Sequence, residues 1–189
     1  MTILAVITIA AAGIWIVSLF NGLIGLRNQV TNAFKQIDVQ LKRRYDLIPN
    51  LVNAVRGEMK FEQETLEKVM KARAGAMTAS AGGNMAEMGM KEGLLSQALG
   101  RLLAVHENYP NLKANETVKK LMEELTHTEN QVGFSRQFYN DLATKFNTRQ
   151  QIFPNNFITA ILGFSPSDLF EIPAAAAAER EAPKVDLTI

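Results

Sequence analysis

Apolar and polar positions divide this chain into two regimes. Residues 1–26 carry no charged side chain, and Ile3–Phe20 reads ILAVITIAAAGIWIVSLF before Asn21-Gly22-Leu23-Ile24-Gly25-Leu26 gives way to Arg27. About 20 apolar residues at ~1.5 Å each match a hydrocarbon core of ~30 Å, so the stretch is long enough to cross a bilayer as one helix. A cleaved signal peptide would place Lys or Arg before a shorter apolar core, whereas only the α-amino group precedes this longer run. We therefore expect an uncleaved anchor.

Past Arg27 the pattern changes to helical stripes. Leu26, Val30, Ala33, Ile37, Leu41, Tyr45 and Ile48 recur at steps of three and four, one apolar face continuing out of the anchor. A second stripe runs Leu51, Val55, Met59, Glu62, Leu66, Val69, Arg73 and Met77. Between them lies Asp46-Leu47-Ile48-Pro49; proline costs ~3 kcal/mol inside a helix but nothing in a first turn, so a boundary capped by Asp46 is expected. Thr78–Met90, with its paired glycines, reads as a loop that holds methionines 77, 85, 88 and 90 at or beside it. Leu95, Ala98, Leu102 and Val105 make a third helix ending at Asn108-Tyr109-Pro110. Asn115-Glu116 then opens a fourth, whose pattern Val118, Leu121, Leu125, Thr128, Val132, Ser135, Tyr139, Leu142, Phe146 and Arg149 runs on toward Pro154.

These elements predict an all-α chain in which an N-terminal transmembrane helix is followed by an antiparallel four-helix bundle. The alternative is a three-helix bundle with one long, kinked first helix. The corresponding segments are an anchor at 1–26, a helical bundle at 27–153, an apolar membrane-proximal or bundle-capping segment at 154–172, and a mobile tail at 173–189.

Composition narrows the chemistry. The 189 residues hold no cysteine and two histidines, His106 and His127, which removes disulfides, thiol nucleophiles and cysteine metal sites. No cofactor and no metal are expected. A formal charge of +1 argues against nucleic acid as a partner. Basic residues follow the apolar run (Arg27, Lys35, Lys42, Arg43, Arg44) and none precedes it, so the positive-inside bias puts the body in the cytoplasm, with the extracytoplasmic side as the alternative.

At this point the residues carry a resemblance. The apolar anchor, Leu26-Arg27-Asn28-Gln29-Val30, and the run Gln36-Ile-Asp-Val-Gln-Leu-Lys-Arg-Arg-Tyr-Asp-Leu-Ile-Pro-Asn-Leu-Val52 resemble the LemA family of bacterial membrane proteins. Asn108-Tyr-Pro-Asn-Leu-Lys-Ala-Asn115, Glu123-Glu-Leu-Thr-His-Thr-Glu-Asn130, Phe138-Tyr-Asn-Asp141 and Leu162-Gly-Phe164 follow in family order. The resemblance implies a single-pass anchor in the bacterial cell membrane and a four-helix bundle, and implies no biochemical activity. Some relatives carry a lipidated cysteine that this chain lacks, which leaves the side of the membrane open.

Lys42, Arg43 and Arg44 form a candidate contact for an acidic protein partner, against the reading of a solvated helix face. Lipid is a poor fit, because an upright helix holds them ~24 Å from the interface, beyond a Debye length of ~8 Å. Glu62, Arg73, Glu129 and Arg136 fall on or beside apolar stripes, so they are candidate core ion pairs that fix helix register. Gly82-Gly83-Asn84-Met85 lacks the Gly-Lys-Ser ending of a nucleotide loop. Phe153, Phe157, Ile161, Leu162 and Phe164 lie in a run too short to span; they are candidates for the membrane interface, or else for a satellite core cluster.

The functional expectation is a non-enzymatic, membrane-anchored scaffold whose partners are the lipid bilayer and other copies of itself. The alternative is an adaptor that binds a membrane protease or stress-response complex, and a cryptic enzyme is the third class.

Overall fold

A computed structural model describes residues 1–57, 59 and 62–171. The expected 173–189 tail lies outside them. The elements in chain order are α1 (Thr2–Val55), α2 (Gln63–Gly82), α3 (Met85–His106), α4 (Pro110–Ala114), α5 (Glu116–Gln151) and α6 (Asn155–Ile161). No strand occurs among the described residues, so the fold is the expected all-α arrangement. The described residues divide into two compact units, one of residues 1–37 and 134–169, the other of residues 38–133 and 170–171.

In the first unit, α1 begins as a bare apolar helix. Ile3, Leu4, Val6, Ile7, Ile9, Ile14 and Val17 are all exposed, which distinguishes this stretch from the core helix of a water-soluble protein. Burial starts at Leu19 and Leu23 and continues through Val30, Ala33 and Ile37, the residues of the first predicted stripe. The α5 half of this unit runs antiparallel to α1. Phe34 meets Tyr139 edge to face at 6.0 Å, and Phe164 likewise meets both Phe20, at 5.8 Å, and Phe146, at 6.3 Å. Asn147 binds Ser167 twice, its amide donating to the carbonyl at 2.9 Å and its Oδ1 accepting the N–H at 2.8 Å, and so pins the return segment.

The second unit is a four-helix arrangement of the end of α1, α2, α3 and the start of α5. Leu41, Ile48, Leu51, Leu66, Val69, Leu95, Leu102 and Leu125 fill its interior, each such side chain contributing roughly 1.5–3 kcal/mol of transfer free energy. Contacts from Tyr45 to Arg73 and from Ser96 to Glu129 are those of helices folding back on one another. Asn115 caps α5 as expected, its Oδ1 accepting the N–H groups of Thr117 and Val118.

Two boundaries differ from the sequence-based expectation. There is no break at Asp46-Pro49: α1 runs through Pro49 to Val55. A proline at 49 removes the donor that would serve the carbonyl of residue 45. Arg73 Nε on α2 supplies that donor instead, at 2.7 Å from the Tyr45 oxygen. The 78–90 loop contracts to Gly83 and Asn84. Gly83 ends α2 with φ of 71°, a left-handed cap that glycine adopts without strain, and Asn84 caps α3 by accepting the N–H of Glu87 at 3.1 Å. The sequence Asn84-Met-Ala-Glu87 has the spacing of a capping box, a signal that the glycine-rich composition masked.

Candidate functional site

The most polar feature of the interior lies at one level of the second unit, where all four helices contribute. Arg44 on α1 is fully buried. Its Nη1 donates to Glu92 Oε2 on α3 at 2.8 Å, and its Nη2 donates to Ser96 Oγ at 2.8 Å and pairs with Glu129 on α5. Ser96 passes the chain on, donating to Glu129 Oε1 at 2.8 Å. The Tyr45 hydroxyl donates to the other oxygen of Glu92, and the Tyr45 carbonyl accepts from Arg73 on α2. Two cationic and two anionic side chains are thus joined through one serine and one tyrosine. Arginine suits this role because its planar fork offers several fixed donors and stays charged, and a buried carboxylate without such a partner would be costly.

Several residues singled out from the sequence meet here and others do not. Glu129 and Arg73 belong to the network. Glu62 is half-buried beside Thr65 and Tyr109, whose hydroxyls approach it at 3.4 and 3.5 Å. Arg136 is buried in the other unit, and so lies outside this cluster. Arg44 is corrected outright: with no exposed surface it offers nothing to an external partner, so the candidate contact shrinks to Lys42 and Arg43. Those two are exposed, with Arg43 at 3.9 Å from Glu124. Glu92 was missed, although Met88, Glu92, Leu95, Leu99 and Leu102 form one stripe of three- and four-residue steps once α3 is begun at Met85.

The same unit carries a groove of about 650 Å³ between α2 and α3, with Lys68, Lys71, Lys91 and Arg101 around a floor that includes Ala72, Gly75, Leu94 and Ala98. Lys68 also holds Glu64 at 2.5 Å, and this hydrogen bond and charge keep the exposed Glu64 carboxyl below its usual range. Among the described residues no three His, Asp or Glu side chains converge as metal ligands.

In the first unit, α6 presents an apolar face outward: Phe157 and Ile161 are 65% and 84% exposed, and Phe153, just before the helix, is 78% exposed and edge to face with Phe157. Leu162 and Phe164 are half-buried. Tyr139 donates to the Asp168 carbonyl at 2.8 Å, and burial, followed by the Asp168 charge, pushes its hydroxyl above the ordinary tyrosine value. Phe134 and Phe138, one turn apart on α5, stand 66% and 49% exposed.

The sequence profile of the LemA family matches residues 33–187. The chain is 34% identical over 107 residues to the magnetosome proteins MamQ 2 and MamQ 1 of Paramagnetospirillum magneticum, covering 56% of this chain and 39% of each relative. It thus spans about two fifths of the length of these two curated proteins. Protein LemA of Metamycoplasma hominis is 26% identical over 166 residues, covering 88% of this chain and 73% of that protein.

Proposed function

The chain belongs to the LemA family and is a membrane-associated protein, and from that premise we propose that it is a non-enzymatic scaffold acting by self-association at the bilayer. The observation that carries this reading is the exposed pair Phe134 and Phe138. Two aromatic side chains at i and i+4 form a compact apolar patch, and aromatic anchors of this kind dominate the energetics of protein interfaces. Confinement to a membrane raises the effective concentration of such patches, so a weak pairwise contact suffices for assembly. The charges of the bundle interior are occupied with one another, which suits a role in fixing helix register rather than in turning over a substrate.

Mass measurement and particle imaging of the full chain in lipid particles test the proposal. Wild type is expected to form higher-order particles that grow with concentration, and Phe134→Ser/Phe138→Ser to remain monomeric with unchanged helical content. Monomers of the wild type at every concentration overturn it.

The groove between α2 and α3 supports a second reading, that of an adaptor. Four basic side chains around a floor of alanine, glycine and leucine fit an acidic helix of another membrane protein, and the exposed Lys42 and Arg43 add a further basic contact. Crosslinking from Lys71 and Lys91 that traps one dominant foreign protein favours this reading over self-association.

A further inference from the structure

We infer that residues 152–164 make a second contact with the bilayer that α1 crosses, lying in its interface with the exposed apolar side chains seated among headgroups and upper acyl chains. This inference rests on the reading of residues 3–20 as a membrane span, and on no assumption about self-association.

Three observations within the first unit carry it. The faces of α6 are inverted relative to a helix in water: Phe157 and Ile161 point out, while Asn155 and Thr159 are buried. The polar face has local work, because Asn155 Nδ2 donates to the Arg149 carbonyl at 2.9 Å and Thr159 Oγ1 donates to the Gln150 carbonyl at 3.2 Å. These are oxygens that the end of α5 leaves without helical donors. Satisfying them turns the apolar face away from the protein.

The second observation is charge. From Gln150 to Ser167 no acidic or basic residue occurs, so nothing in this segment opposes entry into an interface.

Register supplies the third. Phe34 lies against Tyr139 in an antiparallel pair, so fourteen residues back along α1, at Phe20, the partner strand of chain has advanced by the same ~21 Å to the level of Phe153. The contact between Phe164 and Phe20 closes the loop at that level. Phe20 ends the apolar run of α1, where a spanning helix leaves the hydrocarbon. The outward face of α6 is therefore held at the height of the bilayer surface, and its seven residues measure ~10 Å, far too little to cross.

The full chain in vesicles of phosphatidylcholine and phosphatidylglycerol tests this by fluorescence, because Trp15 is its single tryptophan. Native Trp15 reports the span. Trp15→Phe/Phe157→Trp reports α6, with Trp15→Phe/Ile161→Trp as a second reporter should the first lose helical content. Residue 157 is expected to lose emission with lipids brominated near the headgroup more than with deeply brominated ones, and to resist aqueous iodide. Quenching by iodide alone overturns the inference and leaves the anchor standing. Quenching by neither also overturns it, since a second protein copy then covers the face. If Trp15 itself is untouched by brominated lipid, the span is wrong and the inference falls with it.

Discussion

At the scale of single residues, Arg44 shows why a run of three basic side chains cannot be read as one feature. Lys42 and Arg43 face water, whereas Arg44 occupies the same apolar stripe as Leu41 and Ile48 and is enclosed. Its burial is sustained by Glu92, Ser96 and Glu129 on two other helices. Removing one member of a buried pair strands the other charge. Arg44→Met is therefore expected to destabilise the protein by about 3–5 kcal/mol, and Arg44→Met/Glu92→Met to recover most of that loss. Thermal unfolding followed by circular dichroism in detergent decides the matter; equal damage from the single and double variants would show that the pair does not act as a unit.

At the scale of elements, the continuity of α1 through Pro49 depends on a donor from another helix. The carbonyl of Tyr45 loses its intrahelical partner and gains Arg73 Nε. Arg73→Met leaves that oxygen without its donor and is expected to cost about 1–3 kcal/mol. In a Pro49→Ala background the backbone N–H of residue 49 serves the carbonyl, so the same substitution should cost distinctly less. The four melting curves form a double-mutant cycle, and simple additivity would mean that Arg73 does not stand in for the missing donor. Close approach shapes the α2 to α3 pairing and α3 itself. Ala76 and Ala79 are buried on α2, and a Cβ at Gly89 on α3 would come within 2.1 Å of the Glu171 carbonyl, so glycine there lets the 170–171 backbone pass.

At the scale of the whole molecule, the membrane organises the proposals: a span, an interfacial segment and surface patches for self-association or an acidic partner. We propose a cytoplasmic body, on the ground that basic residues follow the span and none precedes it. The absence of cysteine makes this directly measurable. Lys120→Cys, at an exposed site on α5, is expected to resist a membrane-impermeant maleimide in intact cells and to react after lysis, while Thr2→Cys reacts from outside. The opposite pattern places the body on the extracytoplasmic side.

The order of residues alone encodes local periodicity. The uncharged run of 1–26, the stripes of α1 and α5, and the Asn115 cap are legible because each depends on residues within a turn or two of one another. Contacts between distant segments set the remainder. A helix passes through Pro49 because a guanidinium 24 residues further along the chain reaches its orphaned carbonyl, and Arg44 is interior because two carboxylates from distant segments meet it. The apolar side of α6 faces outward because the end of α5 needs the polar side. Periodicity along one helix tells which residues share a face; it holds no record of which distant group will satisfy a buried charge or a stranded backbone oxygen.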